Sequence, residues 1–131
     1  MEKLKGLIHS VLNRHPEIKL CIIFGSIASG KGSLNSDIDI AIAADQPLSS
    51  DRRLELLEEL STATNHEIDL VDLMTAKGLI LNQALSTGIV VQNKDKSLYA
   101  DLISRMLFNQ ADMMPYYDRI LRERRRQFIN E

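Results

Sequence analysis

Gly25-Ser26, a gap of ten residues, and then Asp37-Ile38-Asp39 constrain this chain more than any other feature. An apolar run (Ile18, Leu20, Cys21, Ile22, Ile23, Phe24) leads into the Gly-Ser turn, and a second apolar run carries the two aspartates. Successive side chains of a strand point to opposite faces, so Asp37 and Asp39 share one face while Ile38, Ile40 and Ile42 take the other and enter a core. Two carboxylates about 7 Å apart along the backbone can converge on hard cations such as magnesium. Paired magnesium ions beside a phosphate-binding turn equip a site for phosphoryl or nucleotidyl transfer.

A lone Gly-Ser dipeptide reads as an ordinary strand-to-helix turn. Ahead of the acidic pair it acquires a role. Gly25 lets the chain turn where a side chain would obstruct a ligand. Ser26 then starts a short helical turn whose free N–H groups and hydroxyl can hold phosphate oxygens. Lys31 lies beside the phosphates or in solvent. The acids alone would suit an exposed strand edge or helix caps. However, aspartate is depleted in strands, and two on one face repel unless a cation neutralises them.

A third strand is expected over 66–73, with Ile68 and Leu70 on one face and Glu67, Asp69 and Val71 on the other. Asp69 can therefore complete the metal site and help deprotonate an attacking hydroxyl. Asp72 competes for that role but falls on the other face. Glu67 shares the face of Asp69 and is the weaker candidate.

Around these strands the pattern is helical over 2–14, 51–64 and 75–87, with Thr75 as the N-cap of the last and Gly88 as its C-terminal exit. Ile89-Val90-Val91 forms a short final strand. From 97 to 129 the apolar spacing (Leu98, Leu102, Met106, Met113, Tyr117, Ile120) is helical again, with a kink at Pro115. The α/β unit is expected to close by residue 93. The extension over 94–131 then packs on it, on a partner or on a second copy. Five arginines in 119–131 against two glutamates give this tail +3, leaving −5 for the rest of a chain whose net charge is −2. Such asymmetry can mark a polyanion-binding or protein-binding tail, but a solvated helical face is the favoured reading of the cluster taken alone.

The 131 residues suit one domain with a genuine core, and 44% hydrophobic against 26% charged residues is ordinary for a soluble protein. A single cysteine, Cys21, excludes an internal disulfide and suits a reducing cytoplasm. Its apolar strand context marks a buried thiol. No stretch is long and apolar enough for a membrane span or signal peptide, so no membrane association is expected. His9, His15 and His66 lack ligand-like spacing and read as capping or surface residues. No groove for direct nucleic-acid binding is indicated beyond the arginines.

Gly25-Ser26, the ten-residue gap, Asp37-x-Asp39 and the later Asp69 resemble the polymerase-β-like nucleotidyltransferase superfamily over about residues 18–92. In size and layout the chain resembles its minimal members, the MntA-type antitoxins paired with HEPN-domain ribonuclease toxins. The resemblance implies an α/β (α+β) fold, a mixed β-sheet flanked by helices with a C-terminal helical extension. It implies two Mg2+ ions bridged by Asp37 and Asp39, the nucleophile-side ion also held by Asp69, and Gly25 and Ser26 at the β and γ phosphates of ATP. It further implies transfer of AMP to a tyrosine of a HEPN-domain toxin partner, in a hetero-oligomer. Two rivals stand beside it: transfer to a small hydroxylated acceptor of the aminoglycoside kind, and a steric antitoxin that only binds its target through 97–131.

Overall fold

The computed structural model describes residues 1–32 and 36–108. The Pro115 kink, Met113, Met114, Tyr116, Tyr117 and the arginine cluster lie outside the described residues. Helix α1 (Glu2–Leu12) is followed by strand β1 (Leu20–Phe24), the one-turn helix α2 (Gly25–Ala28) and strand β2 (Ile38–Ala43). Helix α3 (Ser50–Thr64), strand β3 (Ile68–Asp72), helix α4 (Gly78–Thr87) and strand β4 (Ile89–Asn93) follow. A last helix, α5, is described over 96–108.

The strands form one mixed sheet in the order β3-β2-β1-β4. β1 runs antiparallel to both β2 and β4, whereas β2 and β3 are parallel and need α3 as their crossover. Each face of the sheet has its own apolar layer. On one, Ile38, Ile40, Ile42, Ile23 and Leu70 pack with Ile8, Val11 and Leu12 of α1 and Leu56 and Leu60 of α3. On the other, Ile22, Phe24, Ala41, Ala43 and Leu73 pack with Leu81, Ala84 and Leu85 of α4 and Leu102 and Met106 of α5. The described part of the C-terminal extension thus contributes side chains to the core. Asp39 continues the row of Ala41 and Ala43, and Asp69 that of Val71, so both acids lie on the face covered by α4 and α5.

Sequence pattern and structure part at three places. Helix α4 starts at Gly78, not Thr75, because the chain leaving β3 is held in turns. The Asp72 carbonyl accepts the N–H groups of Thr75 and Ala76, and the Thr75 hydroxyl donates to it as well. Gly88 ends α4 in extended geometry (φ −75°), not in the left-handed cap. Glycine is needed there for space, since a Cβ would lie 2.2 Å from Ile22 Cγ2 and 2.3 Å from the Ala84 carbonyl oxygen. His15 is no surface residue: it is 2% exposed. Its Nε2 bonds Glu59 of α3, and its Nδ1 faces Arg52 Nη2 at 3.4 Å and Glu17 Oε1 at 3.6 Å. That bond holds the Glu59 carboxyl below its ordinary range.

Candidate active site

The end of β1 and the starts of β2 and β3 meet at one end of the sheet. Phe24, the last residue of β1, pairs with Asp39, and Asp39 pairs with Asp69 across the parallel strands. One row therefore carries the turn and two of the three acids. Gly25 has φ +76°, and a Cβ on it would lie 2.1 Å from Asp39 Oδ2. Glycine is required twice, for its backbone conformation and for the carboxylate beside it.

The turn beyond Gly25 closes on the Ser26 carbonyl. That oxygen accepts the N–H of Lys31 at 2.9 Å, the N–H of Gly32 at 3.0 Å and the Ser29 hydroxyl at 3.0 Å. A Cβ on Gly32 would approach the Ile27 backbone to 3.1 Å, so the closure is tight at this position. Ser26 and Lys31 are both exposed at the turn.

Asp39 is half-buried; Asp37 and Asp69 are exposed. Burial pushes the Asp39 carboxyl above its usual range, and the charges of Asp69 and Asp37 and a hydrogen bond with Asp69 push the same way. Among the described residues no lysine or arginine forms an ion pair with any of the three. Among the same residues no three His, Cys, Asp or Glu side chains are grouped closely enough to hold one ion together. The observed convergence is thus a close Asp39–Asp69 pair with Asp37 nearby. A half-buried carboxylate raised by its own neighbours fits a divalent cation, which would supply the missing positive charge.

Asp72 is committed elsewhere. It is buried, and its Oδ2 and Oδ1 accept the N–H groups of Leu48 and Met74, each at 2.9 Å. It fastens the loops at the far end of the sheet. Glu67 is exposed just before β3. An open cleft of about 570 Å³, lined by Glu17, Lys19, Ser49 and Arg52 among others, lies at that far end and contains none of the site acids. Cys21 is fully buried, and burial pushes its thiol up to about 12, as befits a structural thiol.

A tight Gly-Ser turn set against acidic strand residues on a mixed sheet is an arrangement suited to a nucleotide-handling transferase. Residues 7–97 match the family "Polymerase beta, Nucleotidyltransferase", and the chain belongs to it: it is a nucleotidyltransferase. Over 109 residues it is 32% identical to the protein adenylyltransferase MntA of Shewanella oneidensis, covering 81% of this chain and 78% of that protein. Among solved structures it is similar to a chain of a toxin–antitoxin complex with AMP-PNP, at 29% identity and a TM-score of 0.72, covering 89% of this chain and 98% of the other. It is also similar to a chain of the complex between a tri-AMPylated S. oneidensis HEPN toxin and its MNT antitoxin. There the identity is 28% and the TM-score 0.68, with 92% and 98% of the two chains covered. These are relatives of the MntA antitoxin type, and the mixed α/β fold is theirs. Among the described residues no helix is long and apolar enough to cross a membrane.

Proposed function

We propose that this chain is the antitoxin of a toxin–antitoxin pair and transfers AMP from ATP to a tyrosine hydroxyl of a HEPN-domain toxin, with Mg2+ as its metal. The observation that carries the reading is the row Gly25–Asp39–Asp69: a turn without side-chain obstruction beside two interacting carboxyl groups. Kinship with the S. oneidensis adenylyltransferase, and with the structures holding AMP-PNP and an AMPylated toxin, supports the nucleotide and the acceptor class.

In this reading the Gly25-Ser26 turn seats the β and γ phosphates through backbone N–H groups and the Ser26 hydroxyl. Asp37 and Asp39 would hold two Mg2+ ions, and Asp69 would help hold the one on the nucleophile side. The metal would supply charge neutralisation along the triphosphate. The acceptor oxygen forms a bond to the α-phosphorus as the bond from that phosphorus to the bridging oxygen breaks, and pyrophosphate leaves. Asp69, exposed at the end of the sheet, takes the hydroxyl proton. The remaining contribution of the protein is to orient the reactants. Asp37, Asp39 and Asp69 are the residues assigned to catalysis, and Gly25 and Ser26 those assigned to the nucleotide. The site lies within residues 1–93, while the extension over 94–131 joins the core through its described helix.

Intact-mass spectrometry of a candidate HEPN-domain toxin after incubation with this chain, ATP and Mg2+ tests the reading. AMP-sized mass additions that vanish with Asp37→Asn/Asp39→Asn establish it. A toxin bound but unmodified would replace it with a steric antitoxin. A toxin neither bound nor modified would turn the search to small hydroxylated acceptors.

A further inference from the structure

We propose that Arg53 is a positioning residue for Asp69: together with Arg105 it pins the edge strand β3 in the register that sets Asp69 opposite Asp39. The inference rests on the reading of Asp69 as part of the transfer site. Among the described residues β3 is an edge strand, held by β2 on one side only. Strand register is set by such pairing, and a slip of one residue would turn Asp69 to the opposite face and bring Ile68 or Leu70 against Asp39.

Two bonds orient the backbone of β3. The Ile38 N–H donates to the Glu67 carbonyl at 2.9 Å, and the Leu73 N–H donates to the Ile42 carbonyl at 2.8 Å. By strand alternation Glu67, Asp69, Val71 and Leu73 turn their backbone groups toward β2, while Ile68, Leu70 and Asp72 turn theirs to the free edge. The free carbonyl of Leu70, adjacent to Asp69, accepts from Arg53 Nη2 at 2.6 Å. Arg53 reaches it from the first turn of α3, the crossover helix on one face of the sheet. Just past the other end of the strand, Arg105 of α5 donates from Nη2 to the Leu73 carbonyl and from Nη1 to the Met74 carbonyl at 3.4 Å.

The two guanidinium groups thus hold the strand and the turn that leaves it from helices on opposite faces, and both bind backbone oxygens. Neither forms an ion pair among the described residues. A charged donor on a carbonyl is stronger than a neutral one, and a capped edge oxygen cannot recruit a foreign strand. Because the bonds go to the backbone and not to the carboxylate, the arginines fix where Asp69 stands without neutralising it.

The test uses the full chain and two readouts. Hydrogen–deuterium exchange over 66–76 reports the hold on β3 without any metal. Titration with Mn2+ in the presence of a non-hydrolysable ATP analogue reports the site. Arg53 is exposed, so Arg53→Met should fold, and Arg53→Lys keeps a charged donor for partial rescue. In Arg53→Met we expect exchange in β3, but not in α1 or α4, to rise by about threefold to tenfold, as loss of one hydrogen bond implies. Mn2+ affinity should fall by a similar factor with affinity for the metal-free nucleotide unchanged, and Arg53→Lys should recover part of both. Wild-type exchange in β3 would overturn the inference, as would raised exchange with wild-type Mn2+ affinity. If Arg53→Met failed to fold, Arg53→Lys would decide in the same way, with smaller shifts. Wild-type Mn2+ affinity in Asp69→Asn would instead strike the assignment of Asp69, and the metal-independent exchange data keep the two failures apart.

Discussion

Gly25 stands so close to Asp39 that a Cβ on it would lie 2.1 Å from the Oδ2 of that aspartate. The turn and the first strand acid are therefore one unit. Alanine at 25 must displace the carboxylate and also adopt φ +76°, a conformation costing about 1–3 kcal/mol for a residue with a side chain. Displacing a reacting group by about 1 Å can cost on the order of a hundredfold in rate. Gly25→Ala should thus lower AMP transfer by at least about tenfold while melting as a folded protein. Wild-type transfer rates in that variant would separate the turn from the chemistry.

Asp39 carries a pH signature. Its carboxyl is raised by burial and by Asp69 and Asp37, so between the unfolded and folded values the native state holds a proton that the unfolded chain has released. Stability of the metal-free protein then falls as pH rises through that window, and the deficit persists to neutral pH. Asp39→Asn should make the chelator-treated protein more stable near neutrality, with no gain below the carboxylate range. Asp39 is only half-buried, so the gain should stay within about 1 kcal/mol. Urea denaturation at both pH values with excess chelator measures it, and saturating Mg2+ should reverse the order of the two proteins.

Asp72 should behave oppositely to its neighbour three residues earlier. Asp72→Ala strands the N–H groups of Leu48 and Met74, both bonded to the buried carboxylate. Each unpaired buried donor costs about 1–3 kcal/mol, so a loss of about 2–4 kcal/mol is expected in urea unfolding. Transfer per folded molecule should survive. An inactive but equally stable Asp72→Ala would reassign this residue to the chemistry.

His15 and Glu59 should be energetically coupled. Their bond ties the end of α1 to α3 beneath a buried ring. A double-mutant cycle of His15→Ala and Glu59→Ala should show a combined loss clearly smaller than the sum of the two single losses. Additive losses would mean that the ring acts by packing alone.

The contrast between these residues shows what the amino-acid pattern can carry. Strand alternation separates Asp69 from Asp72, because a face is a local property, and Asp69 indeed lies beside Asp39 while Asp72 is tied to backbone amides. The turn at Gly25-Ser26 is legible for the same reason. His15 is not: a histidine before proline at a helix end looks alike whether it is wet or buried, and its partner Glu59 is 44 residues away. The late start of α4 is equally hidden, since Thr75 is a good cap in isolation and only the buried Asp72 diverts it. Arg53 and Arg105 leave no pattern at all, because their partners are carbonyl oxygens that every residue possesses.

The sheet order also shapes how this protein can be made. β4 occupies an outer position beside β1, so it adds to an open edge and no earlier strand pair must part to admit it. Gly25, Asp37, Asp39 and Asp69 all belong to the first three strands and the turns between them. Chains emerge from the ribosome N-terminus first, so the acids can be assembled in register while the final strand and α5 are still being synthesised. The α4–α5 face is closed last, so the half-made protein holds an assembled acidic row above an apolar face that is still open.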